Sequence, residues 1–349
     1  MKEKVYKVIL LFSTVFLIVL MIRYPHNVSE GAKQGIIICV DNLISSMFPF
    51  LIVSSFILKS GTIEFIGKIF EKFSRKLFKV SGKTFSIFLL SLISGFPVGA
   101  KLAKESFEMK TITRSQASRL LCSSVNAGPA FVISVVGVSM MKSKNAGIVL
   151  LLSLSLSAFF MFILSGFIYK YEENDCVVLR KNQSLSSAFV ESVYDSSKSI
   201  ISICSFVVAF SCLCFNLKGG WKLLSLILEV SLGCKAVTVT YNLPLIAAVI
   251  GFGGICVHMQ IFDCVLKIKM KKLIFFFFRI LNSVVSFLIC KALLLIFPVS
   301  ISSGTVFAKN VSANISTNIT ACVGLLLMCA ILIVDFEESR KIKVKICSK

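Results

Sequence analysis

The chain has 349 residues, of which 56% are hydrophobic and 32 are phenylalanine, and its mean hydropathy is +0.90. This composition excludes an ordinary soluble domain and predicts an integral membrane protein. The net charge of +21 comes from cations clustered between apolar runs, where they can meet anionic lipid. The lipid bilayer is therefore the expected partner, and nucleic acid is not.

Three helical patterns occupy the start of the chain. Residues 8–22 predict a retained N-terminal membrane helix, because no small-residue cleavage site follows them. Residues 35–58 are long enough to cross a bilayer with some tilt, and Pro49 should kink them. Residues 63–80 carry apolar side chains on one helical face and basic ones largely off it, which predicts a helix lying in the membrane interface.

The segment SGFPVGAKLAKE, residues 94–105, ends an apolar run that is too short to cross a bilayer. Its glycines and proline predict the tip of a re-entrant hairpin, since irregular backbone inside a membrane must be buried in protein or line a cavity. A helix starting at about Val98 to Lys101 would point free N–H groups at the tip, and Lys101 adds a full charge. We therefore predict an anion site, against the alternative of a plain turn at the membrane surface. Its residues are Gly95, Pro97, Val98, Gly99, Ala100 and Lys101.

Later patterns divide the chain into two halves. Residues 120–141 are apolar but interrupted at Asn126, residues 147–169 are a clean span, and an extended polar stretch follows. The predicted units are an N-terminal membrane helix at 1–30, a first repeat at 31–170, a polar linker at 171–187, a second repeat at 188–334 with a last span at 321–334, and a basic tail at 335–349.

A shift of 156 residues aligns Gly95 with Gly251 and Asn126 with Asn282 without a gap. The alignment predicts a duplication, with chance as the alternative, and it leaves parallel and inverted repeats open. Short interrupted apolar segments at matching positions of two halves point to a transporter's binding site. The predicted fold is an all-α integral membrane protein, a polytopic helical bundle whose two structural repeats contain re-entrant or broken helices.

The second interrupted segment, GFGGICVHMQ, is predicted to complete the cavity near the bilayer midplane as a second re-entrant tip. A histidine there could donate to an anion or couple transport to protons, with packing as the alternative. Asn126 and Asn282 need partners in apolar surroundings, which could be substrate or neighbouring helices. The residues added to the candidate site are Asn126, Gly251, Gly253, Gly254, His258, Gln260 and Asn282.

Glu229 and Arg279 are the other ionisable residues flanked by apolar sequence. They could pair across the fold or lie at the interface, which is the expected location of Arg279 because Lys271 and Lys272 precede it. The 13 cysteines are scattered without metal-site spacing and are interpreted as small buried hydrophobes. No metal and no cofactor are expected.

The motifs taken together resemble bacterial membrane proteins of the YlbJ type, the sporulation integral membrane proteins with a Gate or nucleoside-recognition domain. The resemblance covers residues 30–300 and rests on five segments. They are FPFLIVSSFILKSG (48–61), SGFPVGAKLAKE (94–105), SQASRLLCSSVNAGPAFVISVVGV (115–138), LEVSLG (228–233) and GFGGICVHMQ (251–260).

This resemblance implies a role in endospore formation, in the outer forespore membrane derived from the mother cell. A protein of this type is linked to passing dipicolinic acid towards the spore, and dipicolinate is a small aromatic dianion. The leading hypothesis is therefore a transporter or facilitator for a small organic anion, in which Lys101 holds carboxylates. The resemblance assigns no substrate residues, so the site is inferred from the sequence alone.

Three other functions can be compared with anion transport. A nucleoside permease would favour amide and hydroxyl contacts over a lysine. A scaffold for a sporulation complex would tolerate Lys101→Ala, and it leaves room for a homo-oligomer or membrane partners. A membrane enzyme is not expected, because the chain lacks H-E-x-x-H and G-x-S-x-G motifs, and GFGG is not followed by aspartate.

Overall fold

The computed structural model describes residues 24–170, 184–215, 224–238 and 242–299, together with part of 11–23. Throughout these residues the secondary structure is helical, and they contain no strand. The prediction of an all-α polytopic membrane protein is confirmed. The predicted linker lies largely outside the described residues, as does much of the N-terminal helix, and the last predicted span and the basic tail lie wholly outside them.

The helices follow one another closely. Two segments, π1 and π2, have π-helical hydrogen bonding. In chain order the elements are α1 (Pro25–Ile38), π1 (Cys39–Ile44), α2 (Ser45–Lys59), α3 (Thr62–Phe78), α4 (Gly82–Ser94), α5 (Val98–Glu108), α6 (Arg114–Ser123), π2 (Ala130–Met140), α7 (Lys144–Ile168), α8 (Leu185–Phe215), α9 (Ser225–Leu228), α10 (Val230–Thr238), α11 (Leu243–Phe252), α12 (Gly254–Lys267) and α13 (Lys272–Ile296).

Within the described residues, four segments are long and apolar enough to cross a bilayer: Lys144–Ile168, Leu185–Phe215, Leu243–Lys267 and Lys272–Ile296. The number is six if two bent helix pairs each form one span. The first pair, Pro25–Asp41 with Ser45–Lys59, bends by 55°, and the second, Thr62–Phe78 with Gly82–Ser94, bends by 95°. These helices provide the membrane-spanning part of the molecule.

Helix α3 has an outward apolar stripe. Phe65, Ile69, Phe73 and Leu77 are exposed at intervals of one helical turn, while Ile63 is buried on the other side. An exposed apolar stripe on a helix that also carries several cations suits contact with lipid at the interface. The 95° bend between α3 and α4 is compatible with that arrangement, and the position of α3 in a membrane stays a prediction.

Two helices that follow the breaks, one in each half, begin 156 residues apart, which is the shift of the sequence alignment. Helix α5 begins at Val98 and α12 at Gly254, the same separation as the 156 residues between Asn126 and Asn282. The long helix α8 packs along α1 and α2, which are its counterparts at that offset. The division of the chain into five units stays a prediction.

The second predicted re-entrant tip does not turn back. Helices α11 and α12 are separated only by Gly253, and together they form one candidate span of 25 residues, Leu243–Lys267. Gly253 has a left-handed conformation with φ 88° and ψ −3°, and the next helix starts at the following residue. The second break is therefore a discontinuity inside a crossing helix, and the expectation of a hairpin there is wrong.

Candidate functional site

A pocket lies where the broken segments of both halves meet, and its empty space of about 550 Å³ includes open solvent at its mouth. We call it the central cavity. Its walls come from π1 and α2, from the segments that follow α4 and α6, and from α8, α10 and α12. The lining is mainly apolar, and no lysine, arginine or histidine of the described residues belongs to it. Its polar side chains are Ser46, Ser94, Glu229, Ser231 and Gln260.

The first break, at residues 95–97, is packed against the segment between α6 and π2. Gly95 has φ 77° and ψ −178°, a conformation that is essentially restricted to glycine. A Cβ on Gly95 would lie 2.5 Å from the backbone nitrogen of Gly128. The Phe96–Pro97 peptide bond is cis. Two irregular backbones thus meet inside the protein, as expected of broken helices that are shielded from lipid.

The helix after the first break begins where the sequence predicted, at Val98. Val98 and Ala100 are buried, and a Cβ on Gly99 would lie 2.5 Å from the Cβ of Ser91, so Gly99 lets α5 pack closely on α4. These three residues serve the packing of α5 on α4 and do not line the central cavity.

Lys101 lies outside the central cavity. It lines a smaller and more open pocket together with Glu105 and Asp195. Burial lowers the pKa of Lys101 and raises the pKa of Glu105. The structure therefore does not bring Lys101 together with Gln260, which is the predicted site residue that lines the central cavity.

The second break holds α12 against the junction of α9 and α10. Gly254 has φ 71°, and a Cβ on it would lie 3.2 Å from the backbone nitrogen of Val230. Gly251 lies before the break, where a Cβ would be 2.7 Å from Oγ of Ser286, so it serves the packing of α11 on α13. The close approach of Gly254 places Glu229 beside the first turn of α12.

Glu229 is the ionisable residue in the wall of the central cavity. Its exposed fraction is 1%, and its Oε2 accepts a hydrogen bond of 2.7 Å from the backbone N–H of Leu232 in α10. Burial raises the pKa of this carboxyl, and the N–H groups of Leu232 and Ser231 oppose the shift.

Sequence reasoning left Glu229 out of the candidate site. The available signal was its isolation, because the sequence has no other acidic residue between Asp195 and Asp263.

Three helices contribute their first turns to the cavity wall. Ala130 and Phe131 begin π2, Val230 and Ser231 begin α10, and Cys256 and Val257 lie in the first turn of α12. The N-terminal end of a helix carries partial positive charge and attracts anions. The cavity therefore combines an apolar wall with positively polarised backbone and one buried carboxyl.

Arg279 is fully buried, so its expected location at the interface is wrong. It does not pair with Glu229. Its guanidinium donates to the carbonyl oxygens of Cys122 and Val125, at the end of α6. These carbonyls have no helical partner where the chain leaves α6, and a guanidinium with several donors can satisfy both.

The two predicted asparagines lie deep in the protein. Nδ2 of Asn282 donates to the carbonyl of Gly251 at 2.8 Å, and Oδ1 of Asn282 accepts from Oγ of Ser157 at 2.7 Å. Nδ2 of Asn126 donates to the carbonyl of Ser123. Both residues make helix-to-helix or local hydrogen bonds, and neither lines the central cavity.

His258 also supports the second break. Its Nε2 lies 2.9 Å from the carbonyl oxygen of Phe252, and its ring packs edge-on against the rings of Phe252, Phe275 and Phe276. The packing interpretation fits this arrangement, because His258 is buried and does not line the central cavity. Within the described residues, no group of three His, Cys, Asp or Glu could hold a metal ion.

The chain is a polytopic all-α membrane protein whose broken helices enclose an internal cavity. It is similar to the sporulation integral membrane protein YlbJ of Bacillus subtilis (strain 168), with 30% identity over 135 residues. The similar region is 39% of this chain and 33% of YlbJ, so the likeness spans a third of that protein. No family model matches the chain, and no solved structure matches it at a significant level. The Gate or nucleoside-recognition domain stays an expectation.

Proposed function

We propose that this protein is a transporter or facilitator of a small organic anion, with dipicolinate as the substrate, and that it acts in the outer forespore membrane during endospore formation. The name of YlbJ supports the role in sporulation. The observation that carries the transport role is the central cavity between the broken helices of the two halves.

The chemistry of the cavity wall fits a small aromatic acid. Met47, Phe50 and Phe131 provide an apolar surface for a planar ring. Carboxylate groups can lie against the helix N-termini of π2, α10 and α12, and hydroxyl groups of the wall can donate to them. In this form of the proposal, Lys101 does not hold the substrate.

Uptake of dipicolinate by liposomes that contain the purified protein tests the proposal. The wild type should take up labelled dipicolinate faster than protein-free liposomes. Val207→Phe places a ring in the cavity wall and should lower uptake by about tenfold or more, because a filled cavity cannot hold a ligand. Ile201→Phe, on the outward side of the same helix, is the matched control and should transport like the wild type.

A nucleoside is the second candidate substrate, and the lining favours it in one respect. The polar side chains of the cavity are hydroxyls, an amide and a carboxyl, and Oε1 of Gln260 has no hydrogen-bond partner within the described residues. A buried amide oxygen without a partner is suited to a ligand N–H or O–H donor. Uptake of uridine but not dipicolinate would replace the anion with a nucleoside.

A scaffold role is the outcome if neither solute crosses the membrane. In that case the wild type, Val207→Phe and Ile201→Phe would all match protein-free liposomes, and the transport proposal would be abandoned.

A further inference from the structure

Glu229 is buried in the wall of the central cavity, and no cation of the described residues lines that cavity with it. The ionisable groups that face it are four thiols, one each from π1, α8, α10 and α12. The neighbouring elements π2 and α11 contain no titratable residue. No ion pair involves Glu229 among the described residues. The four thiols belong to Cys39, Cys214, Cys234 and Cys256.

Both protonation states of Glu229 have a physical basis. An ionised carboxyl removed from water without a counter-ion is strongly disfavoured, so burial favours the protonated form and raises its pKa. The ionised form is also stabilised, because the N–H of Leu232 donates to Oε2 of Glu229 at the positive end of α10. A buried carboxyl with such opposed influences is suited to binding and releasing a proton.

We propose that Glu229 is a proton-binding site inside the central cavity, and that its proton travels with the transported anion. This inference rests on the proposed transport function. An ionised Glu229 would share this mainly apolar pocket with a second negative charge, and like charges repel more strongly there than in water. The anion therefore enters together with a proton on Glu229, and both leave on the other side.

Glu229→Gln is the decisive variant, because glutamine copies the protonated carboxyl in shape and can still accept from the N–H of Leu232. In liposomes at equal pH on both sides, the exchange of labelled dipicolinate by each protein gives the reference level against which its own accumulation is measured. With an acidic exterior, the wild type should accumulate dipicolinate several-fold and the variant should not. Accumulation by Glu229→Gln equal to that of the wild type would overturn the proposal.

Glu105→Gln is the matched control, since Glu105 is another largely buried glutamate but lines the smaller pocket. It should keep the response to the pH gradient. If Glu229→Gln does not fold, Glu229→Asp provides the second variant. It retains a carboxyl and should keep gradient-driven accumulation with a shifted pH midpoint.

Infrared spectroscopy tests proton binding without any transport. The wild type should have a protonated-carboxyl band that titrates with pH and is missing from Glu229→Gln but present in Glu105→Gln. Absence of a Glu229-dependent band at every pH would overturn the proton site. If the band is present but the wild type moves neither dipicolinate nor uridine, the proposed function fails and the coupling to an anion fails with it, while the proton site stands.

Discussion

The segment between α6 and π2, against which the first break packs, and the second break are held by different chemistry. In the first half, the carbonyls of Cys122 and Val125 at the end of α6 accept from the buried guanidinium of Arg279. In the second half, the carbonyl of Gly251 accepts from the amide of Asn282, and that of Phe252 lies against the ring of His258. A charged side chain supports one region, and side chains with fewer donors support the other.

The backbones of the two breaks differ as well. Gly95, with ψ −178°, ends α4 in an extended conformation, and the next helix, α5, begins at Val98 after a break of three residues. Gly253, with ψ −3°, is in the left-handed helical region, and α12 follows at once within the same candidate span. Matching sequence positions have therefore produced a three-residue break between two helices in one half and a one-residue interruption of a candidate span in the other.

The largest loss of stability should come from removing the positive charge of Arg279. Arg279→Met leaves two buried carbonyls unpaired, which costs about 1–3 kcal/mol for each carbonyl. We expect a clear loss in the thermal unfolding midpoint of the detergent-solubilised protein. Lys291→Met removes an exposed cation from the same helix and should have little effect. Equal unfolding midpoints for Arg279→Met and Lys291→Met would mean that the guanidinium does not stabilise the segment that follows α6.

Alanine at the first break should have the next largest effect. Gly95→Ala forces a positive φ on an L residue and places the new Cβ 2.5 Å from the backbone of Gly128. Gly61 is the comparison: it has a similar positive φ of 78° but a ψ of 3°, which L residues adopt more readily, and the nearest atom to its Cβ, Oε2 of Glu64, lies 3.4 Å away. The free energy of unfolding should fall by about 1–2 kcal/mol in Gly61→Ala, because alanine is disfavoured in the left-handed conformation. Equal losses for the two variants would contradict the close packing at the first break.

The amide of Asn282 at the second break should contribute less to stability than the guanidinium of Arg279 at the end of α6. Asn282→Leu leaves the carbonyl of Gly251 and the hydroxyl of Ser157 without this partner. A loss of about 1–3 kcal/mol in the free energy of unfolding is expected, since hydrogen bonds to uncharged groups are the weaker ones. Denaturation of the purified variant measures it, and a larger loss than that of Arg279→Met would reverse the comparison.

The smallest effect is expected for Lys101→Gln. Lys101 lies in the smaller pocket beside Glu105 and outside the central cavity, so its charge should contribute little to substrate binding. Dipicolinate uptake should stay within about twofold of the wild type. A tenfold loss would restore the lysine to the site that the sequence predicted.

Local signals in the sequence predicted the positions of the breaks. Closely spaced glycine and proline in an apolar run favour a helix break, so Gly95, Pro97 and Gly253 could be recognised without a structure, whereas the isolated Pro49 lies within α2. The start of α5 at Val98 follows from the same residues. The all-α membrane fold follows from composition and apolar run length.

Partners distant in the chain could not be predicted in this way. Arg279 meets its carbonyls across 154 and 157 residues, and nothing in its local sequence distinguishes it from an interfacial cation. Glu229 was recognised as unusual, but its place in the cavity depends on the close approach of Gly254 in another helix. The direction taken after each break also depends on tertiary packing, which is why the second hairpin was predicted wrongly.

The length of α8 bears on where the membrane ends. Its 31 residues extend about 46 Å, whereas the hydrocarbon layer is only about 30 Å thick. The polar N-terminal part, in which Glu191 and Asp195 pair with Lys59, therefore stands among lipid headgroups and water. The pocket around Lys101, which Asp195 also lines, lies at the level of this polar part, so it brings charged groups of both signs together beside the part of α8 that the hydrocarbon layer cannot cover.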